Sequence, residues 1–184
     1  MDAIEALDWG AYSNFDHQVQ SFPQILPIMR VGFYLGDYLA IGVLFSLAAV
    51  LFAVQGKHRS AQVAAVALAV ALGLIFAARA LVPRMRPGNA QNWLGPYEMQ
   101  GSYPSAAVFL FTLAMVMLAC AVWAWLHSAR QRALYLALAT VLTVWVCMAQ
   151  FYLCTHYLTD VLGGLAGAAL VGWIACRFLA NRAP

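Results

Sequence analysis

Charged residues are scarce in this 184-residue chain. Lys, Arg, Asp and Glu together make up 9% of the sequence, whereas roughly a quarter of the residues are charged in soluble domains. Hydrophobic residues make up 64%. This composition excludes an ordinary soluble domain. The sequence also has no basic run, and its net charge is only +3, so we expect no binding to nucleic acid.

Cysteine and metal-ligating clusters are scarce as well. Cys120, Cys147, Cys154 and Cys176 lie singly in or beside apolar runs. This spacing indicates reduced packing residues rather than a disulfide scaffold or a cysteine metal motif. Because no further cluster of histidines and carboxylates is visible, we expect neither a metal site nor another cofactor.

Long apolar runs dominate the chain. About 20 apolar residues in a helix cross a membrane core of about 30 Å. The sequence therefore predicts an all-α, polytopic membrane helix bundle of about five transmembrane helices. The predicted spans cover residues 36–54, 63–82, 106–126, 133–154 and 158–176. A sixth, tilted or re-entrant insertion over residues 22–33 is the weaker alternative.

The amino-terminal segment has a mixed composition. Polar and apolar residues alternate there, and Pro23 and Pro27 interrupt any long helix. We expect residues 1–34 to form an interfacial helical segment, followed by the membrane-embedded bundle over residues 35–184.

Basic residues predict the orientation of the bundle, because Lys and Arg in short loops stay on the cytoplasmic side. Lys57 and Arg59, Arg130 and Arg132, and Arg177 and Arg182 all fall at one face. The opposite face carries residues 79–105 and the link around residue 156. We expect that face to meet the periplasm or cell exterior, which makes the chain a multi-pass protein of the inner or plasma membrane.

Three segments at this outer face carry candidate chemistry. They are Arg79-x6-Arg86-Pro87, Tyr103-Pro104-Ser105 and His156-x3-Asp160. Arginine forks bind phosphate oxygens in pairs, and a Pro-Ser pair at a helix start offers a hydroxyl and backbone N–H groups to an anion. The pattern predicts a phosphate site. Arg84 lies outside it, and contact with lipid headgroups explains that residue better.

His156 and Asp160 are four residues apart and would share one face of a helix. The carboxylate can then accept a proton from one ring nitrogen and leave the other free. This arrangement indicates a histidine directed as a nucleophile or base. The alternative is a structural hydrogen-bonded pair, and Ser105 could likewise be a plain helix cap.

These motifs resemble those of the type 2 phosphatidic acid phosphatases, which read Lys-x6-Arg-Pro, Pro-Ser-Gly-His and Ser-Arg-x5-His-x3-Asp. The resemblance covers roughly residues 35–178, with Arg79 at the family's lysine position. It implies that His156, oriented by Asp160, attacks phosphorus to form a phosphohistidine. Arg79, Arg86 and Ser105 would hold the phosphoryl oxygens.

Three positions depart from the family pattern. Ala107 stands where the family has the histidine that protonates the leaving group, Gln150 replaces an arginine, and Ala149 replaces a serine. A positioned general acid contributes about 10²- to 10⁴-fold, so activity on an ordinary lipid monophosphate should be impaired. A diphosphate leaving group needs less protonation, which favours a polyprenyl diphosphate.

The leading hypothesis is thus a phosphohydrolase acting on a phosphorylated or diphosphorylated lipid among membrane lipids. One alternative is an inactive relative that binds lipid phosphate or serves as an accessory subunit beside a membrane-protein partner. Another is a deliberately inactivated variant. Gly163, Gly164 and Gly167 in the fifth span have the spacing of close helix contacts. They favour packing within the chain over a homodimer face.

Overall fold

Seven α-helices account for most of the described chain. The computed structural model describes residues 3–87 and 101–180. The helices are α1 (Ala3–Ser21), α2 (Leu26–Leu35), α3 (Tyr38–Val54), α4 (His58–Leu81), α5 (Ala106–Val122), α6 (Ala129–Tyr152) and α7 (Leu158–Ala180). Short 3₁₀ turns at Pro23–Ile25 and Trp123–Trp125 precede α2 and follow α5. The described ranges contain no strand, which confirms the all-α prediction.

Within the described ranges, four helices are long and apolar enough to cross a membrane. They are His58–Leu81, Ala106–Trp125, Ala129–Tyr152 and Leu158–Ala180. The pair formed by Pro23–Leu35 and Tyr38–Val54 passes the same test when taken together, which gives up to five spans. In lipid every backbone polar group needs an internal partner, and a helix provides one. A multi-pass membrane bundle of about five spans is therefore confirmed.

The first span differs from its prediction because it is bent. α2 and α3 meet at an angle of 51°, and the carboxylate of Asp37 caps α3 by accepting a hydrogen bond from the backbone N–H of Leu39 at 2.9 Å. We call this junction, residues 33–38, the α2–α3 elbow. The predicted division at residue 34 falls inside α2, and the two-part domain organisation stays a prediction.

A glycine brings α2 against α6. A Cβ atom on Gly32 would lie 2.8 Å from the indole of Trp145, so a larger residue would push the helices apart. The Trp145 Nε1–H donates to the carbonyl oxygen of Ile28 at 3.1 Å. These two contacts pack α2 closely against α6.

The core is centred on α5, which packs against α3, α6 and α7. On α7, a Cβ atom at Gly164 would lie 2.8 Å from the carbonyl oxygen of Ser105. The glycine face of α7 is thus occupied by α5, as the spacing predicted. Close approach of these two helices places the start of α7 beside the start of α5.

The bundle has two chemically different ends. At the Lys57 end, where α3, α5 and α7 finish, Gln55 Nε2 donates to the carbonyl oxygen of Ala121 at 2.8 Å. At the His156 end, where α4 finishes and α5 and α7 begin, the backbone N–H of Ser105 donates to the carbonyl oxygen of Asp160 at 2.9 Å. All three motif segments lie at the His156 end.

Candidate functional site

A cavity of about 280 Å³ opens at the His156 end. It is lined by Phe33, Gly36, Asp37, Tyr38, Arg79, Arg86, Ala106, Ala107, Gln150 and His156. Three of these residues, Arg79, Arg86 and His156, come from motif segments far apart in the chain. The fold therefore gathers two guanidinium groups and an imidazole around one polar cavity, while the α2–α3 elbow forms another wall.

His156 is almost completely buried, with 4% of its surface exposed. Its Nε2 atom lies 2.8 Å from Nη1 of Arg86, and the same Nη1 donates to the carbonyl oxygen of Thr155 at 3.0 Å. A guanidinium group has no acceptor, so Nε2 must accept in this contact. The imidazole is thus neutral and carries its proton on Nδ1.

Nδ1 of His156 faces Asp160 but makes no hydrogen bond in the described structure. It lies 3.5 Å from Oδ2 of Asp160. That carboxylate already accepts hydrogen bonds from the hydroxyl of Ser102, from the backbone N–H of Tyr157 at 2.9 Å and from Nη1 of Arg84 at 3.2 Å. His156 precedes α7 rather than lying on it, so a turn, and not a shared helix face, brings the pair together.

The surroundings of His156 favour its neutral form. Burial is the largest cause, and together with the nearby charges of Arg86 and Arg79 it lowers the pKa of His156 to about 4, although Asp160 acts in the opposite direction. At neutral pH the imidazole is therefore uncharged. The Nε2 lone pair is then available whenever Arg86 releases it.

Besides Nδ1 of His156, two buried donors at the cavity have no protein partner within the described residues. They are Nε of Arg79 and Nε2 of Gln150. Gln150 is only 1% exposed, and its Oε1 accepts the hydroxyl hydrogen of Thr155 at 2.7 Å, which turns the amide nitrogen away from Thr155. A buried donor left unpaired costs about 1–3 kcal/mol. Both donors belong to residues that line the cavity.

The remaining predicted positions are placed as follows. Ala107 lines the cavity, so no proton donor stands at that point. Ala149 is fully buried against α2, and its Cβ lies 3.1 Å from where Gly32 would carry one. Ser105 is fully buried, and its hydroxyl caps α5 by accepting from the backbone N–H of Val108 at 3.5 Å. A phosphate contact for Ser105 stays a prediction.

The expectation that Arg84 contacts lipid headgroups is wrong, because its guanidinium binds partners within the protein. Its guanidinium donates to Asp8 at 2.6 Å, to Asp160 at 3.2 Å and to the hydroxyl of Thr159 at 2.7 Å. It also lies over the ring of Tyr157, 4.2 Å from the centroid. The sequence pattern failed here because Asp8 lies 76 positions from Arg84. The available signal was a third arginine beside Arg86 at a face where arginine is unexpected.

The sequence analysis also missed the elbow residues Phe33, Asp37 and Tyr38 as cavity walls. They belong to no phosphatase-like motif, and they reach the cavity at the bend between α2 and α3.

The fold is similar to one seen in a crystal structure, that of the first transmembrane PAP2-type phosphatidylglycerolphosphate phosphatase from Bacillus subtilis. The TM-score is 0.77 at 19% sequence identity, and the match covers 100% of this chain and 89% of that one. No protein-family model and no curated protein matches the sequence. The structural similarity shows a PAP2-like membrane fold.

Proposed function

We propose that the chain is a lipid phosphate phosphohydrolase of the type 2 phosphatidic acid phosphatase kind, with a lipid diphosphate as its preferred substrate. The observation that supports this proposal is the cavity that gathers His156, Arg79 and Arg86, where Nε of Arg79 and Nε2 of Gln150 have no protein partner among the described residues. An anion there would meet Arg79, Arg86 and Gln150 together. The basic loops lie at the Lys57 end, which makes that end cytoplasmic. The cavity at the His156 end then opens at the outer face.

The first step needs a change at Arg86. At rest its N–H occupies the Nε2 lone pair of His156. A phosphate competes for the guanidinium as a doubly accepting anion, so binding draws Arg86 onto phosphoryl oxygens and frees Nε2. His156 then attacks phosphorus, the bond from phosphorus to the leaving oxygen breaks, and Asp160 stabilises the imidazolium-like charge through Nδ1–H.

The second step returns the enzyme to its resting state. A water attacks the phosphohistidine, the P–N bond breaks, and inorganic phosphate leaves while Nε2 regains its lone pair. Arg79, Arg86 and the amide of Gln150 hold the phosphoryl oxygens in both steps. Donors placed there stabilise the charge that develops in the transition state.

The absence of an acid at Ala107 selects the substrate class. An alkoxide leaving from a lipid monophosphate needs a proton as the bond breaks, and a general acid supplies about 10²- to 10⁴-fold there. A phosphate leaving from a lipid diphosphate is a far weaker base. The cavity as built therefore favours diphosphates over monophosphates such as phosphatidylglycerolphosphate.

The elbow offers a path for the lipid tail. Tyr38 lines the cavity, and Tyr34 and Leu39 beside it are 65% and 78% exposed. Exposed apolar and aromatic side chains at membrane depth face lipid. A headgroup in the cavity can therefore keep its tail in the bilayer between α2 and the neighbouring spans.

A second candidate function is lipid-phosphate binding without turnover. It is favoured by Ala107 together with the Arg86 contact that occupies the nucleophile. In this case the chain would bind the headgroup as an accessory subunit and release nothing.

Phosphate release from purified protein tests these alternatives. The chain, His156→Ala and the double variant Ala107→His with Gln150→Arg are assayed on a polyprenyl diphosphate and on phosphatidylglycerolphosphate. We expect the chain to exceed His156→Ala on the diphosphate, and the double variant to gain chiefly on the monophosphate. Equal rates for the chain and His156→Ala on both substrates would refute turnover. Retained affinity for the diphosphate would then support the binding function.

A further inference from the structure

Asp8 is an anomaly on α1. It is fully buried, whereas Ile4, Leu7 and Trp9 around it are each about half exposed or more. Its Oδ1 accepts the backbone N–H of Thr159 at 3.0 Å, and its Oδ2 accepts the hydroxyl of Thr159 at 2.7 Å. The carboxylate therefore bonds the first turn of α7, where the helix dipole favours negative charge.

The carboxylate of Asp8 also accepts a hydrogen bond from one nitrogen of the Arg84 guanidinium. Nη2 of Arg84 lies 2.6 Å from Oδ2 of Asp8, and Nη1 lies 3.2 Å from Oδ1 of Asp160. One guanidinium is thus divided between two fully buried carboxylates, with the shorter contact to Asp8. If Asp8 neutralises the charge of Arg84, the carboxylate of Asp160 remains free to interact with Nδ1 of His156.

Aromatic contacts fix α1 in the position from which Asp8 pairs with Arg84. Trp9 and Tyr12 pack edge-on to each other with ring centroids 5.4 Å apart, and their centroids lie 6.0 Å and 6.3 Å from that of Tyr157. Edge-on aromatic pairs of this kind stabilise a contact beyond the apolar area that they bury. Because Tyr157 directly follows His156, α1 is docked against the link that carries the nucleophile.

We propose that Asp8 is a positioning residue for the His156–Asp160 pair, so that α1 is part of the active site rather than only a membrane-surface helix. The inference rests on the proposed function. Without the Asp8 charge, Arg84 has Asp160 as its remaining carboxylate partner in this network. A two-armed Arg84–Asp160 pair would draw the carboxylate away from Nδ1 of His156.

A charge-compensation experiment tests this role. The variants are Asp8→Asn, Arg84→Gln and their combination, assayed on a lipid diphosphate. Loss of a carboxylate that orients a metal-bound histidine typically costs about 10- to 100-fold, and by analogy we expect Asp8→Asn to lower kcat by about that factor, with KM changed less than about threefold. The double variant restores the balance and should regain most of the lost kcat. Ser13→Ala, exposed on the same helix, is the matched control and should leave kcat unchanged.

A merely structural role predicts a different pattern. If Asp8 only anchors α1, the two losses add, and the double variant is no better than the worse single variant. That result, or an unchanged kcat in Asp8→Asn beside an active parent, would overturn the proposal while leaving the proposed function standing.

A second readout does not depend on turnover. Nitrogen-15 NMR of labelled histidine, with the His156 signal assigned from His156→Ala, reports which ring nitrogen carries the proton. We expect the Nδ1–H form in the parent and in the double variant, and a changed balance in Asp8→Asn. If the parent has no activity above His156→Ala, the proposed function fails, and the NMR series alone decides the inference. Identical spectra across the series would contradict it.

Discussion

Two of the cavities formed by the described residues differ in size and in chemistry. The one at the His156 end encloses about 280 Å³ and is lined by arginines, a histidine and an amide, whereas the one near the Lys57 end encloses about 850 Å³. The larger cavity lies between α5, α6 and α7 and has a mainly aliphatic lining that includes Met115, Val116, Leu136 and Leu165. In a bilayer such a cleft faces hydrocarbon.

Volume therefore does not identify the functional site here. Convergent polar groups mark a binding site more specifically than space does, and ionisable groups at membrane depth indicate function by default. At the His156 end, the cavity lining includes a histidine whose neutral form is favoured and two buried donors that have no protein partner in the described part of the chain. Substitutions at the two ends should therefore have very different effects.

Removing a cationic side chain should affect the two cavities very differently. Arg86→Met should lower kcat/KM on the diphosphate about 10²- to 10³-fold, because an electrostatic donor to the transition state is lost. Lys57→Met, which removes a cation from the lining of the larger cavity, is the matched control. It should change kcat/KM less than about twofold. Comparable losses in both variants would contradict a localised site.

Restoring a proton donor should change substrate preference. Ala107→His places an imidazole at the cavity wall, and we expect the rate on a lipid monophosphate to rise about 10²-fold, the lower end of general-acid effects. The diphosphate rate should rise much less, because its leaving group needs little protonation. Parallel gains on both substrates would argue against the proposed role of Ala107.

The amide of Gln150 should contribute a smaller amount to binding. Gln150→Ala should weaken phosphate affinity about 3- to 10-fold, the range of one neutral hydrogen bond, and Gln150→Glu should weaken it further by repulsion. Gln62→Ala, on the exposed side of α4, is the control. Isothermal titration with inorganic phosphate measures these affinities, and equal values for Gln150→Ala and the parent would remove Gln150 from the donor set.

The protonation of His156 should distinguish it from an ordinary histidine. Burial lowers its pKa from 6.5 to about 4, so the folded protein takes up this proton only near pH 4, whereas the unfolded chain does so near 6.5. This residue's contribution to stability is therefore complete above pH 6.5 and declines as the pH falls towards 4. An NMR titration of the His156 ring should give a midpoint near 4. A midpoint near 6.5 would show that the site is open to water.

How much the sequence could predict depends on the range of the signal. The apolar runs predicted the membrane bundle because lipid imposes helices of a fixed length. Motif spacing predicted that Arg79, Arg86 and His156 fall at one end. The contact of Asp8 with Arg84 has no local signature, and neither has the close approach of Gly32 to α6. Charge pairing and helix approach of this kind are set by tertiary packing.

The most direct test of the account is a structure with vanadate, which imitates the transferring phosphoryl group. We expect vanadium to be bonded to Nε2 of His156, and the vanadate oxygens to be held by Arg79, Arg86 and Gln150. The guanidinium of Arg86 should then no longer contact the imidazole. Vanadate absent from this cavity at saturating concentration, or bound away from His156, would contradict the central claim.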